Sequence, residues 1–516
     1  MGNKKKIAIN MVAQFLSFIL SLGINFFLAP FITKSVGKEV YGFVNLAFQM
    51  TGYISIFTTA LNAMLGRYIT VSIGKKDYES ARSYFSSAMI ANAILTAVCF
   101  VPVTVGILYL NNWLDVPAQN LLDVQLLWAF IFFDFFARLI ANGYAVSTYA
   151  VNRLDLSSRR AMESSILRAA VLVAMFVFMP ARVWYVGFTK VITGAYVIIT
   201  NIYFTKKLTP NLYYEKSLVR MASIKKLVKT GIWNTVQQIT GILVNGCDTL
   251  ITNIYINAAS MTLMTFAKTI PNYVMSIIGI VCSSFSPQMT LLYAEGDMDK
   301  FVKYVKSAIK VCGFICSIPI LGFIAFGTKF FALWLPVLSG GEIRTIQILS
   351  VMILAQTVFD VYIYPLYTVS QITTKLKIPV LVSLGIGVCN IIGSILLCVN
   401  TDLGVYAIQI VSSVLLTARV FFFAPIYAAH ILEQKWWTFY LPLLRGALSS
   451  AVVLTVFGCI SYFVTVNSWV MLGVVAVICG AIGYAINYII VLNKEERIMV
   501  KDMVIKRIKK KNKKES

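Results

Sequence analysis

Two sets of amides and small polar residues recur in the chain with one rhythm. Asn10, Gln14, Ser17 and Ser21 fall at intervals of four, three and four, and Asn234, Gln238, Gly241, Asn245 and Asp248 at four, three, four and three. That spacing stacks side chains on one face of a helix. The sets are offset by a constant 224 residues, and each follows a lysine cluster. An amide offers both donors and acceptors, which suits sugar hydroxyls. The competing reading is that amides and small residues hold neighbouring membrane helices together.

Charges supply the second kind of chemistry. An ionisable side chain near a bilayer centre costs about 2.5–3.5 kcal/mol on insertion scales, so each one needs a reason. Asp134, Arg138, Arg168, Lys190, Asp248, Lys268, Asp360 and Arg419 all lie deep in apolar stretches. Asp134 and Arg138 are four apart and can pair on one helix face. Asp248 and Lys268 each stand ten residues from a turn near Ala258, so they reach similar depth and can pair across it. Arg168, Lys190 and Arg419 then outnumber the remaining acid, Asp360. Surplus positive charge suits an anionic cargo such as a phosphate or pyrophosphate headgroup; internal ion pairs that fix helix packing are the structural alternative. The substrate-binding candidates are therefore Asn10, Gln14, Asn234, Gln238, Asn245, Arg138, Arg168, Lys190, Lys268 and Arg419. Asp134, Asp248 and Asp360 are ion-pair or coupling candidates.

These residues must be positioned by membrane helices. Hydrophobic residues make up 59% of the 516, charged ones 13%, and the mean hydropathy is +0.79. A soluble domain carries roughly a quarter charged residues. The chain reads as an all-α polytopic membrane protein with about fourteen spans: 7–32, 41–72, 85–110, 121–150, 161–180, 184–204, 230–256, 260–293, 307–334, 346–370, 378–398, 404–431, 440–464 and 469–492. With the N-terminus inside, only Lys34, Lys38, Arg182, Lys329 and Arg344 of the 45 lysines and arginines fall on the external side, which satisfies the positive-inside rule and makes both termini cytosolic. Trp113, Trp334, Trp436 and Trp437 lie near span ends, as an interfacial belt requires. Six crossings precede the basic link at 206–229, so the halves read as parallel repeats around a central cavity. The expected organisation is an N-lobe at 1–205, the linker, a C-lobe at 230–431, a helix pair at 432–492 and a basic cytosolic tail at 493–516 attracted to anionic membrane lipid. Pro271 and Pro365 fall inside spans eight and ten and can kink them as hinges.

Several functions are excluded. The net charge of +24 follows the membrane topology rather than a nucleic-acid footprint. His430 is the one histidine, and Cys312 and Cys316 have no second pair to complete a metal site, so neither a metal nor a catalytic triad is expected. No phosphate-binding loop of the G-x-x-x-x-G-K-[ST] type occurs, and no external loop is large enough for an active site. The chain is read as a non-enzyme without cofactors.

The stretches NMVAQFLSFILSLGINFFLAPFI, SVGKEVYGFVNLAFQ and GIWNTVQQITGILVNGCDTLI resemble the bacterial polysaccharide-repeat-unit (oligosaccharide) flippase family of the multidrug/oligosaccharidyl-lipid/polysaccharide exporter superfamily. The second stretch is similar to the family's L-G-x-x-x-Y-G pattern, with valine before the first glycine. The resemblance covers the whole chain and implies two bundles in the bacterial cytoplasmic membrane. By alternating access they would move an undecaprenyl-pyrophosphate-linked oligosaccharide to the outer leaflet for surface polysaccharide export. It also implies a polysaccharide polymerase and assembly proteins as companions. Lipid II flippases carry arginines in the first helix, and drug-extruding relatives often have a coupling carboxylate there; this first helix has neither. A teichoic-acid-precursor flippase remains an alternative, and outside transport a membrane scaffold does. A scaffold needs its intramembrane charges only in pairs.

Overall fold

In the computed structural model, residues 3–493 are described, except for the side chains of residues 3–9, 11 and 245. The tail beyond Asn493 and the Asn245 side chain, both invoked above, lie outside the described residues.

The described residues are helical almost throughout, and no strand occurs among them. In order the helices are α1 (Asn3–Val36), α2 (Lys38–Gly74), α3 (Tyr78–Leu108), α4 (Leu121–Ile140), α5 (Asn142–Ala150), α6 (Leu154–Phe178), α7 (Trp184–Leu208), α8 (Met221–Gly241) and α9 (Asp248–Tyr255). They continue as α10 (Ala258–Ser283), α11 (Ser286–Ala294), α12 (Met298–Trp334), α13 (Gly340–Ile372), α14 (Lys377–Asn400), α15 (Val405–Ala418), α16 (Ala424–Ile431), α17 (Tyr440–Phe463) and α18 (Trp469–Ile490). Every apolar run expected to be helical is helical. Among the described residues twelve stretches are long and apolar enough to cross a membrane, the inventory of a multi-pass membrane protein. Neither α2 nor the α8–α9 run is among the twelve, because their polar stripes dilute the apolar character, so this measure does not reach fourteen. Helices α10 and α13 run through Pro271 and Pro365.

Four expected spans are interrupted. Span four is α4 and α5 meeting at Ala141, span eight is α10 and α11, and spans seven and twelve contain π-helical segments at Ile242–Gly246 and Arg419–Phe423. A π-segment widens the backbone ladder and turns carbonyls outward, where they need donors. Asn390 Nδ2 of α14 donates to the Val244 carbonyl at 3.1 Å, and the Tyr53 hydroxyl of α2 donates to the Gly246 carbonyl. In the second π-segment the Tyr440 hydroxyl donates to the Phe421 carbonyl at 2.5 Å.

The chain forms two compact units. The first holds residues up to Thr265 together with Ser383–Val405. In it α1 packs on α6, α4 on α7 and α2 on α8. The π-segment of span seven also meets α14 within this unit through the Asn390–Val244 bond. The link after α7 is strapped to α3: the amides of Glu215 and Arg220 donate to the Ser86 and Ser87 hydroxyls at 2.9 Å each. Arg82 pairs with Glu215 at 2.9 Å and Arg220 with Glu79 at 2.6 Å.

The second unit holds Phe266–Val382 and the described residues from Tyr406 onward. The buried Tyr362 of α13 donates to the Gly446 carbonyl of α17 at 3.3 Å. Asn487 of α18 donates to Phe314 O and Ser317 Oγ of α12 at 3.2 and 3.1 Å. The C-terminal pair is thus bonded to this unit. Trp334 is a correction to the interfacial belt: it is 3% exposed and packs on Phe266, Phe330 and Phe331.

Candidate functional site

The first unit contains a polar cavity of about 440 Å³ bounded by α1, α4, α5, α6 and α7. Helix α6 supplies its longest wall. Ser157, Arg160, Ala161, Ser164, Ser165 and Arg168 line it, spaced three and four apart, so they share one helix face. Lys190, Thr193, Val197 and Asn201 of α7 do the same opposite. Ser21 and Asn25 of α1 and Arg138 of α4 complete it. Ser21 and Ser165 are hydrogen-bonded through their hydroxyls at 3.0 Å.

Four bases converge here. The Arg168 guanidinium donates through Nη2 to Asn25 Oδ1. Lys190 Nζ sits 4.9 Å from the centroid of the Phe48 ring, whose face attracts a cation. Arg138 Nε is held by both oxygens of Asp134, at 2.8 and 3.0 Å, the pair expected from their spacing. Arg160 is 5% exposed. It donates to Asn201 Oδ1, to Thr148 Oγ1 at 3.2 Å and to the Leu156 carbonyl at 3.3 Å. Among the described residues no carboxylate lies within ion-pair distance of it. A buried charge without an opposite charge is costly, and the neutral acceptors around Arg160 recover only part of that. Asp134 supplies a carboxylate to this group of bases through Arg138.

Arrays of this kind bind anions. Arginines present planar forks that match phosphate oxygens two at a time, lysine a point charge, and serine and threonine hydroxyls neutral donors. Two further hollows are apolar. One of about 540 Å³ lies among α2, α3 and α4, and one of about 420 Å³ among α12, α17 and α18; no charged side chain lines either.

The structure brings Arg138, Arg168 and Lys190 together as the charge argument expects. It adds Arg160 and Asn25, which sequence reasoning missed. Asn25 is the next step of four after Ser21, and Arg160 sits one residue before the expected start of span five; the three-and-four rhythm of α6 was the available signal. Two amides of the stripes bond to neighbouring elements. Asn10 donates to Asn152 Oδ1 at 3.1 Å and accepts from the Asp155 amide at 2.9 Å, which fixes the turn that launches α6. Gln14 is exposed. Gln238 accepts from Thr59 Oγ1 at 2.9 Å and donates to Ser55 Oγ at 2.5 Å, joining α8 to α2. Asn234 is half-buried on α8.

The remaining charges are elsewhere. Asp248 is buried in the first unit, and Lys268 belongs to the second. Asp360 and Arg419 share one cluster in the second unit. The Tyr367 hydroxyl donates to Asp360 Oδ1 at 3.3 Å, and the Arg419 guanidinium lies 5.4 Å over the Tyr367 ring. Arg419 is therefore not surplus in the way Arg160 is.

Three comparisons with known proteins bear on the site. A profile of a family described as polysaccharide biosynthesis protein matches residues 4–290. An uncharacterized membrane protein of Bacillus subtilis (strain 168), EpsK, is 27% identical over 511 residues, covering 98% of each chain. Among solved structures, the lipid II flippase MurJ in an inward closed conformation superposes with a TM-score of 0.69 at 14% identity, over 96% of this chain and all of that one. An inward-facing multidrug resistance MATE family transporter of the MOP superfamily gives 0.64 at 15% identity, over 83% of this chain and 99% of its own. At such identities the likeness is one of fold.

Proposed function

Because the chain belongs to the polysaccharide biosynthesis protein family, we propose that it flips an undecaprenyl-pyrophosphate-linked oligosaccharide repeat unit across the bacterial cytoplasmic membrane for surface polysaccharide export. The observation that carries this reading is the basic cavity of the first unit, above all the buried Arg160 without a carboxylate. Its four bases take the pyrophosphate, and the serines, threonine and amides around them take sugar hydroxyls. Arg138 and Arg168 clamp phosphate oxygens by their forks, while Lys190 adds charge. The prenyl tail stays in lipid while the headgroup crosses, and access alternates between the two faces of the membrane. In this reading the two repeats form the N- and C-lobes, both termini are cytosolic, the basic tail rests on anionic lipid, and a polymerase consumes the exported unit.

The test is the pool of lipid-linked intermediates in a deletion strain. A complete undecaprenyl-linked repeat unit should accumulate on the cytosolic leaflet and disappear when the intact gene returns. Arg138→Ala and Arg168→Ala should reach normal abundance yet fail to clear it. An unchanged pool would sink the reading. The fold likeness to the lipid II flippase favours one second reading, a lipid II cargo, and accumulation of that precursor instead would select it.

A further inference from the structure

Asp134 lies beside the basic cavity, bonded to the lining residue Arg138, and its placement is specific. Both of its oxygens face a single atom, Arg138 Nε. Arg138 Nη1 and Nη2 donate to no acceptor among the described residues. The carboxylate side chain is 12% exposed and the arginine side chain 37%, so the acid is covered while the base opens onto the cavity it lines. Room for the carboxylate comes from α7. A methyl group on Gly194 would overlap Asp134 Oδ1 and crowd Arg138 Nε. Gly194 lies four residues after Lys190, on the same face of α7, so the neighbouring helix supplies both a cavity cation and the notch behind the acid.

From this geometry we propose that Asp134 is a positioning residue for anion binding: it grips Arg138 by Nε, seats in the Gly194 notch, and presents the free Nη edge of the guanidinium to the headgroup. The inference rests on the anionic-headgroup reading of the cavity and adds a specific division of labour within it. A guanidinium has one N–H on Nε and two on each Nη. Engaging Nε alone orients the planar fork and leaves its phosphate-matching edge whole. The side chain then loses less freedom when cargo arrives, because part of its ordering is complete beforehand.

The proposal fixes a sign. A carboxylate close to an anion site repels the anion, so a bystander Asp134 predicts tighter binding when its charge is removed. A positioning Asp134 predicts the reverse. Binding of farnesyl pyrophosphate, a short prenyl pyrophosphate probe, would be measured on the purified full-length protein in detergent. We expect Asp134→Asn to weaken it by about tenfold, on the scale of one charge-assisted hydrogen bond. Gly194→Ala, which changes no charge, should weaken it comparably by expelling the carboxylate. In an Arg138→Ala background neither change should have a further effect, since each acts through that arginine. In transport the loss should fall on the KM for cargo more than on kcat.

Asp134→Asn binding as tightly as the unaltered protein, or more tightly, overturns the proposal, as does an effect that persists without Arg138. Should Asp134→Asn not fold, Gly194→Ala decides alone. Failure of the underlying reading looks different: Arg138→Ala, Arg168→Ala and Arg160→Met would then all bind the probe unchanged.

Discussion

Arg160 of α6 donates through Nη1 to the side-chain oxygen of Asn201 on α7, and this neutral amide stands where a buried arginine ordinarily meets a carboxylate. Among the described residues Glu163 acts on Arg160 through space without forming an ion pair, and an anionic guest would add the direct partner it lacks. Cavity-forming proteins keep such costs where function needs them.

It follows that Arg160→Met should separate stability from activity. Removing a buried charge that lacks a direct ion-pair partner relieves its desolvation cost, which offsets the hydrogen bonds lost to Asn201 and Thr148. The variant's apparent melting temperature in detergent should match or exceed the parent's, while clearance of the lipid-linked intermediate falls at least about tenfold, the worth of one charge-assisted contact. A variant that melts early and still transports would contradict this.

Contact between α2 and α8 depends on Gly231, whose added methyl would run into the backbone carbonyl of Ala60. A backbone atom cannot rotate away, so Gly231→Ala must push the helices apart or strain them, a cost of about 1–3 kcal/mol. Thermal melting of the purified variant should drop by several degrees, with Gly241→Ala as a control, since nothing lies within 4 Å of a methyl there.

The strap after α7 offers two kinds of bond whose magnitudes differ. The Arg82–Glu215 pair is partly exposed, and pairs of that kind contribute about 0–1 kcal/mol. Leu212 is 4% exposed beneath the strap, and truncating such a residue to alanine costs about 2–5 kcal/mol. Limited proteolysis should therefore leave Glu215→Gln intact and nick Leu212→Ala within the link.

Two helices carry acid-sensitive caps. Asp77 accepts from the Ser80 amide at 3.0 Å, and Asp297 accepts from the Lys300 amide at 3.0 Å and pairs with its ammonium at 2.7 Å. The Ser80 amide holds the Asp77 carboxyl below its usual 3.8, and Lys300 does so for Asp297. A carboxyl lowered by folding contributes its full stabilisation above the usual value and loses it as pH falls through the lower, folded-state value. The first turns of α3 and α12 should thus fray from about pH 4 downward. Hydrogen exchange at those amides should show it, and Asp77→Asn with Asp297→Asn, which caps without a charge, should flatten the dependence.

The helices were legible because burial in lipid demands long apolar runs, and each run can be read from its own residues. The Asp134–Arg138 pair was legible for the same reason, since residues four apart on one helix meet whatever surrounds them. The duplicated stripes were visible too, but not their use. Asn10 turned out to orient a turn and Gln238 to join two helices, while Ser21 and Asn25, farther along the first stripe, reach the cavity.

Sequence alone thus determined the membrane class, the helix positions, the surplus of buried positive charge and the one pair local to α4. Only the tertiary structure decided that Arg138, Arg160, Arg168 and Lys190 share one cavity, that Tyr367 links Asp360 with Arg419, and that the Gly194 notch seats Asp134. The physical reason is range. Apolar content and helical spacing act within a turn or two of the chain, whereas the partner of a buried polar group is set by the rotation and approach of a different helix, distant in sequence and fixed by packing.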